Sequence, residues 1–353
     1  MPSQLPVSAH APATFLARLR IAGAACLLAG LVVNASASAL DALTNVMAFL
    51  ESRGMTLDAA VAESAGIEAM LKTIDPQARL LSAEQAADLD KVLHGYAQAG
   101  AAPTQAVAAV QRPSAEEPEK WVDGLGYLRI NGLYRCPGTG LCERVRTAVA
   151  FAQTGLILDV RGADGNDLGC VDEIASMFFA TNTVLYTLKD GRGGNPTASV
   201  SRAVPRVTVP VMLLIDTNTT QAAELLTAAL DRAPGVMLVG QRTCGDARIR
   251  ELIPLPDGRF LYLATRQAYL ADDSTYEGKG VTPDIEVHPG ETRRPEPAEE
   301  RAAGKPTTEE ARRHRELFAR VAADPALARA TDLLLGLKAL NIHATAGSPD
   351  PAR

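Results

Sequence analysis

Histidine is scarce in this chain: there are five in 353 residues, and none between His94 and His288. A Ser-His-Asp triad built within that stretch is therefore excluded, because its base would have to come from the flanks. Histidine, cysteine and carboxylate residues do not cluster at metal-ligand spacings, so we expect no metal and no other cofactor. A basic stripe is also absent, since the net charge is -6 and the lysines and arginines are scattered. Nucleic acid is thus excluded as the expected partner.

The chain also lacks an apolar run long enough to span a membrane, which takes about twenty residues. The apolar run at 21–33 is shorter; two arginines precede it, and a stretch of small Ala and Ser residues follows it. This order is typical of a signal peptide over residues 1–39, with the mature chain starting at Ser38 or Leu40. We therefore predict an exported protein, periplasmic or secreted, without a stable membrane anchor.

Removal of that segment would leave four cysteines, an even number in a compartment where disulfides persist: Cys136, Cys142, Cys170 and Cys244. Cys136 and Cys142 flank a short loop that contains a proline and two glycines, so we predict a bridge between them. Cys170 and Cys244 are then left for each other. A second bridge between these two requires Cα atoms within about 7 Å.

The region 40–96 is predicted to be helical. Asp75 and the proline after it end one helix, and Ser82 and Gln85 are spaced as a capping box that begins the next one. The following segment, 97–121, is rich in Ala, Gln, Pro and Glu without a regular period. Such a composition is typical of a linker.

From 122 to 288 the pattern alternates strands and helices. Apolar runs such as 209–215 predict buried strands, and a Pro-Asp-Gly turn at 256–258 predicts a hairpin. The alternation favours an α/β fold with a mostly parallel sheet and right-handed crossovers. Residues 289–305 are rich in Pro, Glu and Arg and predict an exposed connector. Residues 306–353 predict C-terminal helices and a tail.

Five segments of this core occur in the order found in the carboxyl-terminal processing peptidases. They are Gly-Tyr-Leu-Arg-Ile at 126–130, Leu-Ile-Leu-Asp-Val-Arg-Gly at 156–162, Ala-Ala-Glu at 222–224, Val-Gly-Gln-Arg-Thr at 239–243 and Gly-Lys-Gly-Val-Thr-Pro-Asp at 278–284. The chain therefore resembles this tail-specific serine peptidase family over roughly residues 124–287. The resemblance implies a ClpP/crotonase-like fold with flanking helical N- and C-terminal segments. It also implies that a PDZ domain, which the family usually carries near position 97–121, is missing.

The residues that perform catalysis in that family are replaced here. The family has a serine nucleophile three residues before a glutamate, and a lysine base farther along the chain. Matching Glu224 to that glutamate places Gln221 at the nucleophile and Asp246 at the base with the family spacing, and Arg250 at a third polar position. A carboxamide is no nucleophile at neutral pH, and neither aspartate nor arginine can act as a neutral amine base. Glu224, the retained residue, is expected to orient or cap the start of its helix.

Alternatives stay open at these positions. Asp246 and Arg250 either form a new site or pair as ions four residues apart on one strand, and we favour the pairing. A relocated nucleophile would be Thr219 or Thr220, at the start of the helix, or Cys244, near the lost lysine. None of these three has a histidine or lysine placed beside it in the sequence, so each lacks an evident base.

The segment at 160–166, named here the anion loop, also departs from the family. Its backbone N–H groups help to hold the oxyanion in the family, but Ala163 and Asn166 differ from the family residues. Gly165 is included among the candidate cleft residues. Asp164 would either oppose a negative charge beside it or lie in an exposed turn.

From these observations we predict a peptidase homologue that has lost hydrolysis. Its remaining function would be to bind an extended peptide, or an unfolded protein segment, in the former active-site cleft by strand addition. One alternative is an active peptidase with a relocated Thr or Cys nucleophile. Another is a regulatory subunit that pairs with an active paralogue.

Overall fold

The computed structural model describes residues 45–46, 48–50, 52–53, 58–93, 115–134, 140–191, 195–202, 204–288, 290, 316–317 and 319–340. The predicted signal peptide, Cys136, residues 97–114 of the predicted linker and nearly all of the predicted connector lie outside these parts. The predicted Cys136–Cys142 bridge therefore stays a prediction. Contacts divide the chain into two compact units, Met1–Met70 and Leu71–Arg353. The sheets belong to the second unit.

The helices of the described parts are α1 (Ala59–Ile74), α2 (Ala83–Leu93), α3 (Leu141–Phe151), α4 (Leu168–Ala175), α5 (Gln221–Leu230) and α6 (Pro325–Ala339). The strands are β1 (Arg79–Leu81), β2 (Glu119–Lys120), β3 (Leu125–Arg129), β4 (Gly132–Leu133), β5 (Gly155–Asp159), β6 (Asp164–Gly165), β7 (Val184–Asp190), β8 (Thr197–Val200), β9 (Val211–Ile215), β10 (Val236–Gly240), β11 (Arg248–Pro254), β12 (Phe260–Leu270) and β13 (Ile285–Glu286). Residues 319–323 are helical as well. The predicted alternation of strands and helices is confirmed.

One sheet has the strand order β13-β10-β9-β5-β3-β2. Its neighbouring strands are parallel, apart from β2, which runs antiparallel to β3. Every residue of β5 and β9 is buried, as expected for parallel strands covered on both faces. The α/β fold class with a mostly parallel sheet is therefore confirmed.

Two apolar cores lie against this sheet, one on each face. Alternate side chains of a strand point to opposite faces, so Leu158 and Leu213 join one core while Ile157 and Leu214 join the other. Helices α3, α4 and α5 pack into the first core, and α6 packs into the second. The first core covers the whole length of α5, in which every residue after Gln221 is buried.

A second sheet is antiparallel, with the order β1-β12-β7-β8 and with β11 paired to β12. The hairpin predicted around 256–258 is confirmed by the β11–β12 pair. The pairing of β1 with β12 was not predicted, and it joins the segment after α1 to the sheet. The capping box is confirmed, since Ser82 N donates to Gln85 Oε1 (2.9 Å) and Gln85 N donates to Ser82 Oγ (3.2 Å).

Candidate functional site

Gln221 begins α5, directly after the turn that follows β9. Its backbone φ is 51°, in the left-handed region, which is unfavourable for a residue with a side chain. Strain of this kind, on the order of 1–3 kcal/mol, clusters at active sites and ligand clamps. The position that the resemblance assigns to the nucleophile is therefore strained and half-buried, although it holds a glutamine.

Gln221→Gly is expected to be more stable than Gln221→Ala by about 1 kcal/mol, because glycine adopts a positive φ without steric cost. Both changes remove the same side-chain contacts, so their difference isolates the backbone strain. In an unstrained helical turn the glycine variant would be the less stable of the two. Chemical denaturation measures the difference, and an alanine variant at least as stable as the glycine variant would contradict the strain.

Three segments meet at the start of α5. The amide of Thr220 donates to Ala163 O of the anion loop (2.9 Å), and the amide of Cys244 donates to Thr219 O (3.4 Å). The loop 243–246 and the anion loop therefore both lie against the first turn of α5. This junction brings together most of the candidate cleft residues.

The hydroxyl of Thr219 is fully buried and occupied by internal hydrogen bonds. Its Oγ1 lies 3.0 Å from Val160 O and 3.2 Å from Asp216 Oδ1, and it accepts from the Asp216 amide at 3.2 Å. The Thr219 hydroxyl therefore stabilises the turn before α5 and is not available to attack a substrate. Thr220 is the N-cap residue of α5, is half-buried, and makes no side-chain capping bond.

Glu224 lies one turn after Gln221 and is completely buried. Its carboxylate accepts hydrogen bonds from the Thr243 hydroxyl, from Gly245 N (2.6 Å) and from Asp246 N (2.9 Å). Burial raises the pKa of Glu224, and the three donors oppose that shift. The retained glutamate therefore fastens the loop 243–246 to α5, rather than capping its own helix as the sequence predicted.

Asp246 is held in a buried ion-pair network. Its carboxylate accepts from Arg250 Nη1 (2.7 Å) and Nη2 (3.2 Å) and from Gln77 Nε2 (3.2 Å). Arg250 also donates to the two oxygens of Asp75, at 2.8 and 2.9 Å, and its side chain is 3% exposed. The predicted ion pair of Asp246 with Arg250 is thus confirmed, but Asp246 precedes β11 and does not lie on the same strand as Arg250. Both groups are satisfied within the protein.

Cys244 is exposed, on the loop between Glu224 and Asp246. Burial raises the pKa of its thiol, and the negative charges of Glu224 and Asp246 raise it further. A reactive cysteine needs the opposite, an electropositive setting that favours the thiolate. The surroundings of Cys244 therefore oppose a role as nucleophile.

The anion loop uses its amides within the protein. Four of them donate to internal acceptors: Arg161 N to Asp159 Oδ1 (3.2 Å), Gly162 N to Asp216 Oδ1 (2.8 Å), Ala163 N to Val160 O (3.1 Å) and Asn166 N to Leu133 O (3.0 Å). An oxyanion hole requires N–H groups aimed at the reacting oxygen. The acceptor of the Gly162 amide is the carboxylate of Asp216, a negatively charged group in place of an oxyanion.

Gly165 has a structural reason to be glycine. Its φ is 115°, and a Cβ atom there would lie 2.2 Å from Leu133 O, in the strand that pairs with it. Only glycine allows this close approach. Asp164 is half-buried in β6 and accepts a hydrogen bond from the Tyr134 hydroxyl, so the alternative of an exposed turn does not hold.

The family model described as "Peptidase family S41" matches residues 124–287. This stretch is a peptidase family S41 domain. It contains the candidate cleft residues and the core of the parallel sheet. Asp75 and Gln77, which complete the ion-pair network, lie before it in the chain.

Relatives of the S41 domain include two carboxyl-terminal processing proteases. The protein of that name from Picosynechococcus sp. is 28% identical over 173 residues, which cover 49% of this chain and 41% of the relative. CtpB of Bacillus subtilis is 26% identical over 171 residues, which cover 48% and 35%. A solved structure titled photosystem II D1 C-terminal processing protease has 21% identity and a TM-score of 0.43, and the match covers 57% of this chain and 47% of that one. The match thus spans less than half the length of these proteins.

The S41 domain also carries a polar cluster at the carboxyl ends of β3 and β5. Asp159 is fully buried and accepts from Arg129 Nη1 (2.7 Å), from Arg161 Nε and Nη2 (2.9 and 2.7 Å) and from the Tyr127 hydroxyl (3.2 Å). Arg161 donates further to both oxygens of Asp324, which caps α6. The cluster lines a cavity of about 570 Å³. Its charges are paired, and it fastens the anion loop to the start of α6.

The fold is expected to lose stability in acid through the buried carboxylate of Asp159. Burial alone would raise the pKa of Asp159, but hydrogen bonds and charge from Arg161 and Arg129 outweigh it and lower the pKa below its ordinary 3.8. The ionised form therefore stabilises the fold above about pH 4, and this stabilisation is lost as the pH falls through the lowered value.

Unfolding curves between pH 6 and pH 2 test this expectation. Asp159→Asn should be less stable at neutral pH, yet lose less stability than wild type between pH 5 and pH 2. Asp88→Asn, which removes an exposed partner of Lys91, is the control and should follow the wild-type profile. Parallel profiles for Asp159→Asn and wild type would refute the assignment.

The possible Cys170–Cys244 bridge is absent among the described residues, in which both cysteines are free. The sulfur of Cys170 lies 3.7 Å from that of Cys142, and neither is bonded to Cys244, which is exposed. The predicted Cys170–Cys244 pair is therefore not what the structure shows. No group of three His, Cys, Asp or Glu residues in the described parts is placed to hold a metal ion. Within those parts, no helix has the length and apolarity needed to cross a bilayer.

Sequence reasoning missed the residues that complete the site from a distance. Asp75 was interpreted only as a helix end, and nothing in its local pattern indicates Arg250, which is 175 residues away. Asp216 was not noted, although it follows a buried strand directly and occupies the Gly162 amide. An acidic residue directly after a buried strand is the one signal that the sequence offers for Asp216.

Proposed function

We propose that the S41 domain binds an extended peptide in the former active-site cleft and does not hydrolyse it. The observation that carries the proposal is the state of Asp246. This residue stands where the resemblance expects a lysine base, and it is bound to Arg250 and Gln77 in a network that leaves it no free role. The position expected for the serine holds Gln221.

Thr219 and Cys244 are poorly suited to act as a nucleophile. The Thr219 hydroxyl is buried and hydrogen-bonded within the protein, and partial burial and the charges of Glu224 and Asp246 raise the pKa of the Cys244 thiol. Lys279 belongs to a loop whose backbone packs against Gly245, but its side chain is exposed. The neutral lysine of a Ser/Lys pair depends on burial. These features support loss of hydrolysis.

A peptide has a place to bind beside the junction. Strand β11 begins two residues after Asp246 and, among the described strands, pairs only with β12. Its other edge can accept a peptide as an added strand, with main-chain hydrogen bonds supplying affinity. The carboxamide of Gln221 can donate to and accept from a peptide backbone, which suits binding better than attack. The relatives are named for processing carboxyl termini, so the proposed ligand is an unstructured carboxyl-terminal segment.

Binding and cleavage should be measured together on the same peptides. Fluorescence anisotropy with a library of labelled unstructured peptides, each with a free or an amidated carboxyl terminus, is expected to give saturable binding. Mass spectrometry after prolonged incubation should find every peptide intact. Gln221→Ala is expected to weaken binding by about three- to tenfold, the effect of one or two lost hydrogen bonds. Gln153→Ala, on an exposed turn, is the matched control and should bind as wild type.

Three results would overturn the proposal. If no peptide in the library binds, the proposed ligand is wrong. Cleavage that disappears in Thr220→Ala or Cys244→Ser, but not in Gln221→Ala, would establish a relocated nucleophile. Binding only to an active paralogue in a co-purification would identify a regulatory subunit. Export also remains our proposal, and the N-terminal sequence of the protein recovered from its producing cells tests it.

A further inference from the structure

Cys142 and Cys170 lie side by side on two neighbouring helices. Cys142 is the second residue of α3 and Cys170 is the third residue of α4, and their sulfurs are 3.7 Å apart. Both are half-buried. A change of side-chain rotamer would bring the sulfurs to bonding distance, because the two helices already place them in contact.

The surrounding structure holds these two helix starts together. Strand β4, which leads toward α3, pairs with β6, which leads into α4. Arg146 of α3 forms an ion pair with Glu173 of α4, one turn beyond the two thiols. Val145 and Val171 pack into the same core. The contact between Cys142 and Cys170 therefore depends on how the fold places the two helices.

We propose that Cys142 and Cys170 form a disulfide that braces the anion loop against α3. Each cysteine lies in the first turn of its helix. The bond closes the segment 142–170, which contains β5, the anion loop and the cap of α4. Such a bond stabilises the fold mainly by restricting the unfolded chain.

The oxidant is an external disulfide, either a small molecule such as oxidised glutathione or a protein of the same chemical class. The thiolate of Cys170 attacks one sulfur of this disulfide, breaks its S–S bond and releases one thiolate, leaving a mixed disulfide. The thiolate of Cys142 then attacks the Cys170 sulfur, forms the internal S–S bond and releases the second thiolate. The two protons lost by the cysteines end on the two released thiols, so the exchange balances. The hydrogen bond with the Cys170 thiol and burial both raise the pKa of Cys142.

Tryptic peptide mapping distinguishes the possible pairings, because cleavage after Arg and Lys separates the five cysteines into four peptides. These are 21–53 with Cys26, 136–144 with Cys136 and Cys142, 162–189 with Cys170, and 243–248 with Cys244. After incubation of the full chain with a mixture of oxidised and reduced glutathione, we expect 136–144 linked to 162–189. The link should persist in Cys136→Ser and disappear in Cys142→Ser.

Other maps would overturn the proposal. An internal bridge within 136–144, a link from 162–189 to 243–248, or free thiols throughout would each contradict it. The wild-type map decides the matter even if a cysteine variant fails to fold.

Thermal unfolding gives an independent measurement. Reduction of wild type is expected to lower the midpoint by about 5–10 °C, as for a disulfide that closes a loop of this size. Cys170→Ser should show no difference between oxidised and reduced samples, and Cys244→Ser should keep the full difference. A reduced wild type as stable as the oxidised one would contradict the bracing role.

Discussion

Gln221→Ser combined with Asp246→Lys is expected to unfold about 3–5 kcal/mol more easily than wild type and to hydrolyse no peptide. The lysine would replace the carboxylate that receives Arg250 at 2.7 Å, and would set a second cation beside a guanidinium that is 3% exposed. Breaking one side of a buried ion pair costs this amount, because the remaining charge is left uncompensated. Hydrolysis would fail as well, because the Gly162 amide stays bonded to Asp216 and cannot hold an oxyanion.

Adding Arg250→Gln to these two changes should recover most of the lost stability. The added change removes the opposing cation, and Asp75 keeps hydrogen bonds from Gln77 N (3.1 Å) and Ala264 N (3.1 Å). Arg266→Met is the control for loss of an arginine on the same hairpin. Its pair with Glu251 is exposed and should contribute less than 1 kcal/mol. Denaturation curves measure the stability of each variant, and a peptide-cleavage assay measures hydrolysis. A double variant that cleaves peptide, or a triple variant no more stable than the double variant, would refute the reasoning.

Glu224→Ala is expected to lower the free energy of unfolding by about 4 kcal/mol. The change leaves three buried donors without an acceptor, namely the Thr243 hydroxyl and the amides of Gly245 and Asp246. Each unsatisfied buried donor costs on the order of 1–3 kcal/mol, and not all of the costs add in full. The loop 243–246 should also lose its attachment to α5, since these bonds join the two.

Thr227→Ala is the matched control, one turn farther along the same buried helix. Its hydroxyl donates only to Ala223 O within the helix, so the expected loss is about 1 kcal/mol. Equilibrium denaturation gives both values. Amide hydrogen exchange at Gly245 and Asp246 should accelerate strongly in Glu224→Ala and stay unchanged in Thr227→Ala. A loss at position 224 no larger than that at 227 would show that the carboxylate is dispensable.

The parallel sheet could be predicted because its signal is local. Residues 156–158 and 211–215 are uninterrupted apolar segments, a pattern typical of strands buried on both faces. The hairpin of β11 and β12 had a turn signal of its own. The antiparallel pairing of β1 with β12 had none, because a three-residue strand carries no recognisable period.

The candidate site was predicted in part. The sequence shows Asp246 four residues before Arg250, but four residues of a strand span about 13 Å. The ion pair forms because Asp246 lies in the loop before β11. The third member, Asp75, comes from a distant segment, and its pairing depends on how the chain returns to the sheet. The neighbour of Cys170 could not be predicted for the same reason. The sequence left Cys170 and Cys244 for each other, whereas helices α3 and α4 place Cys142 beside Cys170.

The residue types at positions 221 and 246, and the chemistry those types exclude, are properties of the amino-acid sequence alone. Side-chain reactivity depends first on functional groups, and these need no fold to be known. The structure alone decided how the substituted groups are satisfied: Asp246 by Arg250 and Gln77, the loop 243–246 by Glu224, and the Gly162 amide by Asp216. Hydrogen bonds and ion pairs act over a few ångströms, and only folding brings residues far apart in the chain within that range.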